Sequence, residues 1–167
     1  IRDRGFEKTA SGYASHTEGY EPTASGKYSH AEGYKTVASS TYFPSHAEGG
    51  STLASGPFSH AEGNETQASG STSHAEGYAT TASDSYSHAE GNETTARGFA
   101  SHAEGSSTEA SGKYSHAGGL NTIASEDAQY VVGQNNALVT DGLFIVGVGT
   151  NSTTRKNGLV VTKTGIV

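Results

Sequence analysis

Large apolar side chains are nearly absent from the first 120 positions, where only four of the eighteen Ile, Leu and Val residues lie. What recurs instead is small and polar. The string SHAEG or a close variant begins at Ser15, Ser29, Ser45, Ser59, Ser73, Ser87, Ser101 and Ser115, at intervals of 14, 16, 14, 14, 14, 14 and 14 residues. Five residues after each motif glycine stands an alanine, from Ala24 to Ala124, and Ala10 holds the same slot ahead of the first motif. The unit is therefore SHAEG-xx-TxASG-xx. A phase kept this long excludes low-complexity disorder and marks a repeat architecture.

Fourteen residues are too few for a helix pair, and the glycines and β-branched threonines disfavour helix in any case. They suffice for two short strands and two turns, with SHAEG as one strand and TxASG as the other. Alternation along a strand puts His and Glu on one face and Ser, Ala and Gly on the opposite one. In the second strand Thr66, Ala68 and Gly70 share a face, leaving Gln67 and Ser69 on the other. A coil this short encloses room only for the small set, so that set points inward. Coils stacked backbone to backbone at about 4.8 Å then make an all-β, narrow parallel β-roll. The interval of 16 comes from Ser40-Thr41-Tyr42-Phe43-Pro44, a two-residue insertion that must bulge from the roll.

Composition sharpens this. Leu, Ile, Val and Phe number 23 of 167 residues, too few for an ordinary core. Seventeen acids against ten bases exclude nucleic acid as the expected partner, and the absence of Cys excludes disulfides and thiolate metal sites. No apolar run reaches the ~20 residues a membrane helix needs, so no membrane insertion is expected in this segment. The chain opens at Ile1, which reads as a piece of something longer. Burying two alanines and a threonine per coil does not offset an ordering cost of about 1–2 kcal/mol per residue. The outward slot Thr23, Val37, Leu53, Gln67, Thr81, Thr95, Glu109 and Ile123 varies freely, whereas the His and Glu slots scarcely vary. A repeating face implies a repeating partner, and the simplest is another copy of the chain.

The unit resembles the head repeat of YadA-type trimeric autotransporter adhesins, whose coils read SVAIG-xx-AxAxG-xx. The SHAEG wording is more similar to repeats in phage and prophage tail-fibre or neck-appendage proteins. There the repeats run into a segment like FIVGNGT-x-RSNAFTV ahead of a self-cleaving intramolecular chaperone. Phe144-Ile145-Val146-Gly147-Val148-Gly149-Thr150, Arg155-Lys156-Asn157-Gly158 and Leu159-Val160-Val161 match that order. The chain lacks a recognisable adhesin neck or stalk and carries His and Glu where adhesins carry Val and Ile. The resemblance implies a left-handed roll with three chains side by side, a homotrimer. It further implies a non-enzymatic fibre segment that attaches to an unknown host-surface receptor, glycan or protein, on a virion tail fibre or cell surface. Two alternatives stand beside it, an adhesin head and a maturation module preceding an autoproteolytic chaperone. Residues 1–126 form the repeats, 127–150 apolar end coils, and 151–167 a polar loop and terminal strand pair.

In that trimer the axis would be lined by a polar stack: His16, Glu18, His30, Glu32, His46, Glu48, His60, Glu62, His74, Glu76, His88, Glu90, His102, Glu104 and His116. His and Glu are expected to pair between protomers, raising each histidine's pKa. No cofactor or resident metal is expected, three symmetry-related histidines around one ion being the weaker alternative. Adjacent Ser and His point to opposite faces, which argues against a hydrolase triad. Tyr130, Val132, Phe144 and Val146 continue the His/Glu slots as an apolar clamp. The aromatics are placed at corners rather than in strands. Tyr42 and Phe43 in the bulge, with Tyr28, Phe58, Tyr86 and Tyr114, are the candidate receptor contacts, a stacked ladder being their plainer role. The Thr slot is inward, which argues against ice binding.

Overall fold

The computed structural model describes residues 7–166. Residues 1–6 of the repeat segment and Val167 of the expected strand pair lie outside the described residues. Among the described residues there is no helix. The chain winds as a parallel β-solenoid, each coil giving one strand to each of two sheets. Nine two-residue strands, from Thr9–Ala10 to Ile123–Ala124, form one sheet. Five-residue strands such as His30–Tyr34, His60–Asn64 and His88–Asn92 form the other. Both stack in register, so that His60, Ala61, Glu62 and Gly63 lie directly against His74, Ala75, Glu76 and Gly77.

The strands are offset from their sequence expectation. The first strand drops the motif serine and gains the residue after the glycine, and the second shrinks to two residues. The reason lies at the corners, where each coil bends through left-handed backbone. Tyr28, Phe58, Tyr86 and Tyr114 turn one corner at φ 57–60°, and Lys35, Glu65, Ala79 and Glu93 turn the other at φ 53–59°. The motif serine closes the first corner: Ser29, Ser59, Ser73 and Ser115 each donate from Oγ to the carbonyl three residues back, at 2.7–2.8 Å. Left-handed backbone costs an L-residue about 1–2 kcal/mol, so these bonds, and the rungs to the neighbouring coil, hold the corners in place.

The inward set is as the alternation dictates. From Ala24 to Ala124 every core alanine is fully buried, and the Thr slot from Thr36 to Thr122 is buried beside it. The Thr108 and Thr122 hydroxyls donate to carbonyls four residues back. Those of Thr36, Thr52, Thr66, Thr80 and Thr94 find no partner. In that slot the methyl group packs, and the hydroxyl adds little.

The motif glycine is fixed by stacking. At Gly77, φ is +106°, and a Cβ there would collide with the Gly91 carbonyl oxygen of the next coil. Neither backbone nor neighbour can give, because the same geometry repeats above and below.

At the C-terminal end the roll is closed by polar side chains, of which the sequence singled out only Arg155 and not Gln129 or Asn136. Asn136 is buried, and its amide accepts from Ile123 N at 2.8 Å and donates to Ile123 O at 3.0 Å. It thereby replaces the rung that a further coil would have supplied. Gln129, also buried, accepts from Ser125 N and donates to the Val139 and Gly142 carbonyls. Arg155 Nη1 donates to Asn121 O at 2.7 Å. On the other sheet, Gly142–Val148 pairs antiparallel with Asn157–Thr162, which pairs with Gly165–Ile166, so the parallel edge ends under a hairpin. Val131 and Ile145 fill the core slot there.

Three stability outcomes follow. Gly77→Ala should lose more than about 2 kcal/mol in denaturant unfolding, while Thr80→Val should leave stability unchanged or raise it. Asn136→Ala should cost about 1–3 kcal/mol by stranding the Ile123 amide. Hydrogen exchange should show that amide losing protection first.

Candidate functional site

The His and Glu positions come together as two adjacent columns on one face of the five-residue strands. Parallel register sets each imidazole over the next. From His30 to His102 successive rings lie with centroids 4.8–4.9 Å apart and planes within 2–8° of parallel. His16 tilts against His30, and His116 turns edge-on to His102. His116 then stacks on Tyr130 at 4.2 Å, and Tyr130 on Phe144 at 5.8 Å. Tyr130 and Phe144 thus continue the imidazole column, and Val132 and Val146 stand in register in the glutamate column. Of the four residues that the sequence reads as an apolar clamp, Tyr130 and Phe144 are the apolar end of the ring stack and Val132 and Val146 that of the glutamate column, with Tyr130 still 44% exposed.

Pairing within the chain runs diagonally. His60 Nε2 lies 3.2 Å from Glu48 Oε1, His74 Nε2 3.2 Å from Glu62, His102 Nε2 3.4 Å from Glu90, and His116 Nε2 3.3 Å from Glu104. His46–Glu32 and His88–Glu76 are longer, at 3.6 and 3.7 Å. From His46 onward each histidine therefore meets the glutamate of the preceding coil, whereas His16 and His30 pair with Glu18 and Glu32 of their own coils at 3.8 and 3.9 Å. The last histidine-bearing coil has Gly118 where the earlier ones have Glu, so His116 pairs with Glu104 alone.

This geometry reverses the expected histidine shift. Burial pushes His46, His60, His88 and His116 below the ordinary value, and a neighbouring imidazole in the stack adds to it. The glutamates raise these pKa values, yet they lose to desolvation and to like neighbours. The glutamates divide among themselves. A hydrogen bond with Glu90, burial, and a hydrogen bond with Glu62 push Glu76 up to about 7. Burial, then Glu32 and Glu62, raises Glu48. Burial pulls Glu62 upward, but hydrogen bonds from Glu76 and Glu48 bring it below its usual value. Glu90 is lowered chiefly by its bond with Glu76. Carboxyls one coil apart disfavour one another's ionisation, so the column alternates, with Glu48 and Glu76 raised and Glu62 and Glu90 lowered.

The aromatics are placed less simply than expected. Tyr20, Tyr34 and Tyr78 end strands instead of sitting at corners. Tyr28, Phe58, Tyr86 and Tyr114 do occupy corners and are 54–62% exposed. Laddering is partial: Tyr28 meets Tyr13 edge-on, and Phe99 meets both Tyr86 and Tyr114. In the bulge Tyr42 is 71% exposed, while Phe43 lies on Phe58 with centroids 4.8 Å apart. Tyr28, Pro44 and Phe58 wall an open cleft whose floor is His30, His46 and His60.

The shifts set a pH profile for the chelator-treated protein. A histidine with a lowered folded pKa contributes stability above its unfolded value of 6.5 and loses it as pH falls. A glutamate raised to about 7 contributes below 4.5 and loses it as pH rises through 7. The lowered histidines lose their contribution below 6.5 and outnumber Glu76, whose opposing contribution changes between 4.5 and 7, so melting temperature should drop as pH is lowered from 7 to 5. Glu76→Gln removes the opposing contribution and should steepen that acid-side drop.

Comparison of the chain with family profiles and with curated proteins returned no match, so the role of the two columns is read from their own geometry.

Proposed function

We propose that this chain is a rod segment of a homotrimeric attachment fibre, of the kind found in phage and prophage tail fibres, and that its work is mechanical. The observation that carries the reading is the unbroken, in-register His/Glu face. From His30 to His102 its imidazoles keep one spacing and its side chains stay about one-third exposed. The outward positions of the other sheet vary over the same coils. A partner packed against such a face must repeat at the same pitch, and a second and third copy of the roll do so by construction of the fold. Burial between copies would also supply the stabilisation that an alanine-wide core lacks.

The resemblance to YadA-like head repeats supports three chains, and the resemblance of residues 144–161 to tail-fibre sequences favours the virion over the bacterial surface. On this reading the axis takes the His/Glu columns, the outer corners take the receptor, and the bulge at Tyr42 and Phe43 is the first contact point. The host surface offers glycan or protein.

Light scattering should give three times the 17.1 kDa chain mass. A monodisperse monomer overturns the trimer. Binding of the labelled protein to a glycan array should weaken at least tenfold in a Tyr42→Ala/Phe43→Ala double variant of unchanged mass. Equal binding by that variant removes the bulge from the reading.

A further inference from the structure

The diagonal geometry that pairs histidine with glutamate also collects ligand atoms. Three clusters each bring two imidazole nitrogens and one carboxylate oxygen within 4.8 Å of one another without sharing a residue: His16/Glu18/His30, His46/Glu48/His60 and His88/Glu90/His102. A fourth, His60/Glu62/His74, shares His60 with the second. All are built from one chain.

A second observation marks these nitrogens as wanting a ligand. His30, His46, His88 and His102 each hold Nε2 out of solvent without a hydrogen-bond partner, although carboxylates stand near. A shielded nitrogen with an unused lone pair or proton is costly. A cation on the lone pair, with glutamate beside it, removes that cost.

We propose that the His/Glu face binds borderline divalent transition ions, zinc foremost, in His–Glu–His sites that bridge adjacent coils, three ions per chain. Two nitrogens and a carboxylate oxygen suit zinc, nickel and copper rather than calcium or magnesium, which take oxygen ligands. The three protein donors leave a fourth position for water.

The stoichiometry comes from the stack. Zinc lies about 2.0–2.1 Å from imidazole nitrogen, so two rings on one tetrahedral ion bring their nitrogens to about 3.3 Å. The rings repeat at 4.8–4.9 Å, and each pair must therefore tilt together. A ring tilted toward one neighbour is tilted away from the other and serves one ion only. The site sharing His60 thus competes with its neighbour, and non-overlapping sites number three. The sites use one chain's atoms and do not depend on trimer formation.

Tag-free, chelator-stripped protein of known mass by light scattering is titrated with zinc chloride in a calorimeter. The expected result is saturation at three ions per chain with micromolar or tighter affinity. His60→Ala removes both sites that share it and should bind two, with circular dichroism and molar mass unchanged. Glu65→Gln, a glutamate of the opposite corner, should still bind three. No saturable binding below about 1 mM, any other saturating number for the natural chain, or three ions in His60→Ala would overturn the proposal. Co²⁺ gives an independent readout: a tetrahedral visible spectrum supports it, and an octahedral aqua spectrum overturns it.

Discussion

Everything in this molecule follows from parallel stacking in register. Once the coil length is fixed, each side chain sits about 4.8 Å from its own copy. That spacing is kind to some side chains and harsh to others. Alanine on alanine fills a narrow core without a gap, and the fully buried column from Ala24 to Ala124 shows how little variation it allows. Glycine on glycine lets one backbone approach the carbonyl of the next, and the motif glycines use φ of +102 to +118° to do so. Charge on charge is another matter. In the imidazole column His60 and His88 are held toward the neutral form, and in the glutamate column Glu76 is pushed up while its neighbour Glu90 is lowered.

The sequence made the parts governed by alternation legible. His and Glu on one face, Ala and Thr on the other, and the continuation through Tyr130 and Phe144 follow from parity and phase alone. The sign of the histidine shift did not. A pairwise view sees His beside Glu and expects attraction, but His60 also sees His74 in the stack and loses water. That balance depends on distances that no spacing in the sequence gives. The corners were hidden for a related reason. Tyr28 and Phe58 in left-handed backbone go against residue preference, and only the serine bond and the adjoining coils overrule it.

The cap shows a third kind of hidden information. The apolar residues after Leu120 invite the view that the roll ends in grease, and Val131 and Ile145 do fill its core. The decisive groups are nevertheless amides. A stack that stops leaves a row of backbone donors and acceptors, and a buried row without partners is not tolerated. Asn136 copies a backbone rung with its side chain, and Gln129 gathers three backbone groups. A single Asn in a loop carries no periodic signal, so pattern reading passes over it.

The two columns end together, and the manner of their ending says what each slot requires. In the first slot, histidine gives way to Tyr130 and then Phe144 with stacking preserved. The slot therefore demands a flat ring, and charge is secondary to it. In the second slot, Glu104 is followed by Gly118, then Val132 and Val146, with no isosteric substitute for the carboxylate. Glutamate is present where histidine is present and disappears one coil before it. Because from His46 onward each histidine takes the glutamate of the preceding coil, the last one, His116, needs Glu104 and no carboxylate of its own. A solvated glutamate face would have no reason to stop one coil early. A face in which each carboxylate serves the imidazole of the next coil stops there, and the formal net charge of −7 is largely the charge of that arrangement.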